Sequence, residues 1–302
     1  MTFLGAAAVA GAVFAAPTGP FPTAHATFKY LELDITDRGI EAVYPSGQGD
    51  AVFPVISYAH GFGDGGDSVM GHYSGAAHDT LEEMASWGYV VLAPRSCNDG
   101  CLGHCKLLPH DPPCFGTFYY EQLKTIDWAR SPAAAAAGLP INGSLVGVAG
   151  HSMGGQATLF SAAYNASDYG IKAAALHHAY THTYPAIPTV PHLVFTGTDD
   201  TTAPPAMAES IFNAAGAFPT RGLVNKVGAA HDEPGGGDGG TAFNRKLATF
   251  TAAWFKIFVD ETPQWTAPNG TAYDFHEMIY GTGGDSLCGG GDGDMETCTL
   301  KT

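Results

Sequence analysis

The sequence predicts an α/β fold, a single domain on one mostly parallel, doubly wound sheet with helices on both faces. Three observations carry that prediction. Apolar, β-branched runs alternate with amphipathic stretches of helical length, as a chain of βαβ units requires. The runs VVLAP, LVGVAG and HLVFTG are apolar throughout, as strands covered on both faces must be. The chain has 302 residues, 45% of them hydrophobic, enough to bury one substantial core. Its 40 glycines and 20 prolines are scattered between the apolar runs, which fits many short loops better than disorder.

Taken in order, the apolar run Phe3 to Ala16 has signal-peptide length and is followed by a small-x-small site at Ala24-His25-Ala26. Residues 1–26 are therefore read as a signal peptide, although the start carries no Lys or Arg. The domain is expected from 27 to 262. Strands are predicted at 28–35 and 40–44, as a hairpin leading in, then at 53–58, 88–93, 145–149, 172–176, 191–196 and 222–227. Helices are predicted at 74–87, 117–130, 153–164, 205–215 and 241–258. The last shows helical spacing through Phe243, Leu247, Phe250, Trp254 and Phe258. Residues 263–302 read as a Gly- and Asp-rich tail.

The formal charge of −16 repels phosphate backbones and anionic membranes, so no nucleic-acid partner is expected. The body of the chain lacks a breaker-free apolar stretch of ~18 residues, so no integral membrane segment is expected in the mature protein. A monomer is the expected state.

Six cysteines, an even number, fall in two groups. Cys288 and Cys298 are read as a pair closing a short glycine-rich loop. Cys97, Cys101, Cys105 and Cys114, in an insert at 97–114, allow three pairings that the sequence does not rank. Disulfides imply an oxidising compartment and support secretion. His104 and His110 lie among these cysteines, but the C-x3-C-x3-C spacing fits no zinc pattern. Sequons stand at Asn142, Asn165 and Asn269. Acidic residues Asp285, Asp292, Asp294 and Glu296 read as a solvated loop rather than a calcium site. No metal and no cofactor is expected.

The strongest chemical signal is Gly150-His151-Ser152-Met153-Gly154, placed directly between LVGVAG and the helical run QATLFSAAY. A strand–turn–helix context is what a nucleophile elbow needs, with small residues two before and two after the serine. A serine hydroxyl requires a base to take its proton, and acid and histidine should follow in that order. The strand HLVFTG ends at Asp199 and Asp200, either of which could be the acid. The strand LVNKV leads into Gly228-Ala229-Ala230-His231, and His231 alone stands after a strand in the required chain order. His72, His78 and His192 read as ordinary surface or core residues. The oxyanion hole is expected to use the amide of Met153 and that of Phe62, in the loop His60-Gly61-Phe62-Gly63. The Phe62 ring would form an apolar wall for the acyl group.

The motifs A-H-G-F-G, G-H-S-M-G-G and D-T-T-A-P-P with a later A-A-H make the sequence resemble the polyester hydrolase and cutinase-like branch of the α/β hydrolases. The H-G-F loop and the run W-G-Y-V-V-L-A-P also resemble chlorophyllases and platelet-activating-factor acetylhydrolases. The resemblance covers about residues 40 to 260 and implies the α/β-hydrolase fold. It also implies Asp200 as the acid, being the Asp of D-x-x-A-P, and the terminal cysteine pair is similar to a polyester hydrolase disulfide. Polyester hydrolases carry a substrate-stacking Trp after the sixth strand, where this sequence reads Leu176-His177-His178-Ala179-Tyr180. His177 and Tyr180 are therefore expected to line the substrate site, and the His177, His178 and His182 cluster reads as a cleft loop rather than a metal site.

The expected function is serine hydrolysis of a carboxylic ester through an acyl-enzyme, with Ser152, Asp200 and His231 as triad. The short stretch between Ser152 and Asp200 leaves no room for a large lid, which suits bulky, lipid-like or polymeric esters. The alternative substrate is the phytyl ester of chlorophyll, with a plastid location instead of secretion. A peptidase and a catalytically silent binding protein on the same fold complete the alternatives.

Overall fold

Burial on both faces dictates the arrangement of the strands. The computed structural model describes residues 18–28, 39–62, 80–95, 117–181, 187–215, 218, 220–236, 241–289 and 295–302. Its main sheet has the order β1-β2-β4-β3-β5-β6-β7-β8-β11. The strands are β1 (Thr23–Phe28), β2 (Ile40–Pro45), β3 (Phe53–Ala59), β4 (Val90–Pro94), β5 (Ile141–His151), β6 (Ile171–His177), β7 (His192–Gly197), β8 (Arg221–Lys226) and β11 (Met295–Lys301). The run β4-β3-β5-β6-β7-β8 is parallel. β1 and β2 at one edge and β11 at the other pair antiparallel.

Alternate side chains of each strand enter different apolar clusters, as the two-residue period of a strand demands. Ala173, Ala175, Leu193 and Phe195 face one cluster, with Leu81 and Met84 of α1 (Thr80–Ser86) and Leu247, Phe250 and Trp254 of α7 (Thr241–Phe258). Ala174, Leu176 and Val194 face the other, with Leu123 and Ile126 of α2 (Thr117–Ala129), Leu159 and Phe160 of α4 (Met153–Tyr164), and Ile211 and Phe212 of α6 (Pro205–Ala214). The short helices α3 (Pro132–Ala136) and α5 (Ala166–Tyr169) fill the connections. The α/β fold expected from the sequence is therefore the observed one, with helices on both faces of a mostly parallel sheet. Trp254 is fully buried, and truncating an indole in such a core costs about 3–5 kcal/mol.

Two regions depart from the expected element positions. β1 begins at Thr23, so residues 23–26 pair with β2 in the sheet, and the expected 28–35 strand beyond Phe28 lies outside the described residues. Residues 1–17, the apolar run of the expected signal peptide, also lie outside them. The segment read as a tail builds a small hairpin of β9 (Gln264–Thr266) and β10 (Ala272–Asp274), then α8 (Phe275–Tyr280), then β11. Phe275, Ile279 and Leu287 are buried in the core, and β11 closes the sheet against β8. Cys288 and Cys298 form the expected disulfide, with a sequence separation of 10. Closing a loop of that size stabilises the fold by about 2–3 kcal/mol. Cys97, Cys101, Cys105 and Cys114 lie outside the described residues, as do His72, His78 and His182.

Candidate active site

Parallel sheets open their sites at the carboxyl ends of the strands. β5 ends at His151 and α4 starts at Met153, leaving Ser152 alone in the turn with φ 56° and ψ −119°. Positive φ at a residue with a Cβ stores about 1–3 kcal/mol of strain, which neighbouring contacts must hold. The Ser152 amide donates to the His177 carbonyl at 3.0 Å, and the Ser152 carbonyl accepts from Tyr180 N at 2.9 Å and Gln156 N at 3.2 Å. The flanking glycines are required by space. A Cβ on Gly154 would stand 2.0 Å from the Ala59 carbonyl oxygen, and one on Gly150 2.3 Å from that of Gly154.

The loops after β7 and β8 bring Asp200 and His231 to this turn. His231 Nε2 lies 2.8 Å from Ser152 Oγ, and His231 Nδ1 lies 3.1 and 3.0 Å from the two Asp200 oxygens. Asp200 Oδ1 also accepts from the amides of Thr202 at 3.0 Å and Ala203 at 2.7 Å. Burial alone would raise the Asp200 pKa, but hydrogen bonds from His178 and His231 outweigh it and hold the carboxyl well below the usual carboxylate range. An ionised carboxylate only accepts, so Nδ1 of His231 carries the proton and Nε2 presents its lone pair to the serine hydroxyl. That is the arrangement in which an imidazole can take the hydroxyl proton as Oγ attacks. Asp199, the other candidate acid, is exposed, and its carboxylate accepts from Thr198 Oγ1 at 3.0 Å.

A second set of polar side chains supports the first. His151 Nε2 donates to the His231 carbonyl at 2.7 Å. His178 lies between Asp200 and Glu233, at 2.8 Å from each, and Lys226 pairs with Glu233. Glu233 and Lys226 were not singled out in the sequence. A lysine inside a strand flanked by apolar residues, LVNKV, is the signal that points to a buried partner.

Met153 opens α4, so its N–H has no carbonyl partner within the helix. Phe62 follows the end of β3 by three residues and is 60% exposed. Tyr180 is half-buried, with its main chain bonded to Ser152. His177 requires a correction. Instead of lining a substrate site it is fully buried, with Nε2 2.9 Å from Thr251 Oγ1 and Nδ1 3.4 Å from Tyr58 Oη. As the last residue of β6 it points into the core, and burial together with the neighbouring His178 lowers its pKa to about 3. His192 is likewise buried, with Nδ1 donating to the Val190 carbonyl at 3.0 Å.

His178, Asp200 and His231 offer ligand atoms within 4.8 Å of one another. Both rings, however, direct N–H donors rather than lone pairs at the shared carboxylate, so that set is already engaged in hydrogen bonds. Among the described residues, no helix is long and apolar enough to cross a membrane.

A family model described as PET hydrolase-like matches residues 120–271. That span holds Ser152, Asp200 and His231 and begins after the loop that carries Phe62. No curated protein matches the chain.

Proposed function

The chain belongs to the PET hydrolase-like family, and from that premise we propose that it is a serine carboxylic-ester hydrolase acting through an acyl-enzyme on bulky, apolar or polymeric esters. The observation that supports this most is the continuous relay from Ser152 Oγ to His231 at 2.8 Å and on to Asp200 at 3.0 Å.

In this reading Ser152 Oγ attacks the acyl carbon while His231 Nε2 takes its proton. The amides of Met153 and Phe62 meet the oxyanion, and losing one such donor costs about 100–1000-fold in rate. The tetrahedral intermediate collapses, His231 protonates the departing alcohol, and the acyl group stays on Ser152. Water then gives its proton to His231, attacks the ester and releases the acid. The exposed Phe62 ring and the half-buried Tyr180 suit an apolar acyl or aromatic unit better than a small charged one. The Cys288–Cys298 bridge supports a location outside the reducing cytosol, in keeping with secretion.

A panel of short- and long-chain p-nitrophenyl esters, a polyester film and chlorophyll tests the reading. Turnover of the p-nitrophenyl esters with release of soluble acid from the film is expected. Turnover of chlorophyll alone would move the substrate to the phytyl ester, and a folded protein inert on all of them would overturn the proposal.

A further inference from the structure

Behind the Ser152–His231–Asp200 relay lies a second histidine that the steps above do not use. His178 is fully buried and adopts φ 47°, a left-handed conformation uncommon for a residue with a side chain. Its Nδ1 is 2.8 Å from Asp200 Oδ2 and its Nε2 is 2.8 Å from Glu233 Oε2. Both acceptors are ionised carboxylates. The other oxygen of Glu233 meets the ammonium of Lys226, which can only donate, and the other oxygen of Asp200 accepts two backbone amides.

A neutral imidazole has one N–H and one lone pair, so it would set a lone pair against one of these oxygens. The imidazolium alone donates to both. It also balances charge, since Asp200 and Glu233 then face His178 and Lys226, whereas a neutral ring would leave one buried negative charge uncompensated. The other titratable rings facing it are His231, with centroids 6.2 Å apart, and His151, at 6.5 Å, together with its chain neighbour His177. Burial pulls the His178 pKa down, but the two carboxylates outweigh it and raise it.

Resting on the esterase reading of the site, we propose that His178 is a positioning residue, protonated throughout the working pH range, that clamps the loop carrying Asp200 to the loop carrying His231. Glu233 follows His231 by two residues, so the bridge Asp200–His178–Glu233 fixes acid and base relative to each other. The cation also sits 6.2 Å, ring centre to ring centre, from His231, so loss of its charge is felt at the base.

Two measurements test this. In the intact protein with 15N-labelled histidine, NMR should show both His178 ring nitrogens protonated across roughly pH 6 to 8, assigned by the signals lost in His178→Gln and displaced in Glu233→Gln. One unprotonated His178 nitrogen near neutral pH would overturn the proposal. In His178→Gln, kcat on a p-nitrophenyl ester should fall about 10–100-fold with KM little changed. The acid limb of kcat/KM should move up by about one pH unit as a positive charge ~6 Å away is lost. A folded His178→Gln variant with the parent's kcat and acid limb would also overturn it. The esterase reading fails separately: parent protein that hydrolyses no ester and takes no phosphonate at Ser152 would sink that reading, while the NMR result would still judge the protonation of His178.

Discussion

His151 and His231 are joined across the site: the ring of the residue before Ser152 donates from Nε2 to the main-chain carbonyl of His231 at 2.7 Å. The two rings lie 4.9 Å apart. The elbow therefore holds the histidine loop as well as the serine, so Ser152 and His231 are positioned from one strand end.

Replacing His151 with Phe keeps most of the volume and removes that donor. One such hydrogen bond is worth about 1–1.5 kcal/mol, so kcat/KM on a p-nitrophenyl ester should fall about tenfold. Comparing the melting temperature of the variant separates this loss from unfolding. An unchanged kcat/KM would show that the loop holds the imidazole without the tether.

Gly154→Ala should be far more damaging than its single added methyl suggests. The new Cβ would meet the Ala59 carbonyl oxygen at 2.0 Å, and that oxygen belongs to backbone that cannot rotate away. The elbow or the end of β3 must shift, and a displacement of ~1 Å at reacting groups costs about 100-fold. Loss of activity with a lowered melting temperature is the expected pair of observations.

Stability should fall as pH falls below neutrality, before the carboxylates titrate. Burial lowers the pKa of His177 to about 3 and that of His192 to about 4. In the unfolded chain both protonate near ~6.5, so between that value and these lowered ones the unfolded state binds more protons and gains on the fold. Their full contribution is present above ~6.5. Asp200, whose pKa is depressed, adds its own loss only at lower pH, below the ordinary carboxylate value. His178 acts in the opposite sense, since its raised pKa makes a contribution that is lost as pH rises through the folded value. Denaturant midpoints at about pH 7, 5.5 and 4.5 should decline in that order, and His177→Gln should flatten the decline.

Much of this architecture was legible because it rests on local rules. Strands buried on both faces are mostly apolar, and the runs LVGVA of β5 and LVF of β7 announce themselves that way. A turn as tight as that around Ser152 needs small neighbours, so Gly150 and Gly154 mark it. The choice between Asp199 and Asp200 was not local. It depends on a turn in which the Asp200 amide bonds to the Gly197 carbonyl and the Asp199 amide to that of Ala229, turning one carboxylate inward and the other to solvent. Adjacent His177 and His178 posed the same problem at the end of β6, and the reading that put His177 in the substrate site missed that its ring enters the core. β11 was hidden for another reason. Its sequence METCTLK is partly polar, because an edge strand is only half covered, and it pairs with β8 from beyond a glycine-rich stretch.

The most direct test of the account is labelling by a fluorophosphonate, which needs a serine activated by its histidine. The parent protein should take one phosphonate on Ser152, located by peptide mass, and His231→Ala should be labelled about 1000-fold more slowly or worse. A folded parent protein left unlabelled, or a His231→Ala variant labelled as fast as the parent, would contradict the relay from Ser152 through His231 to Asp200.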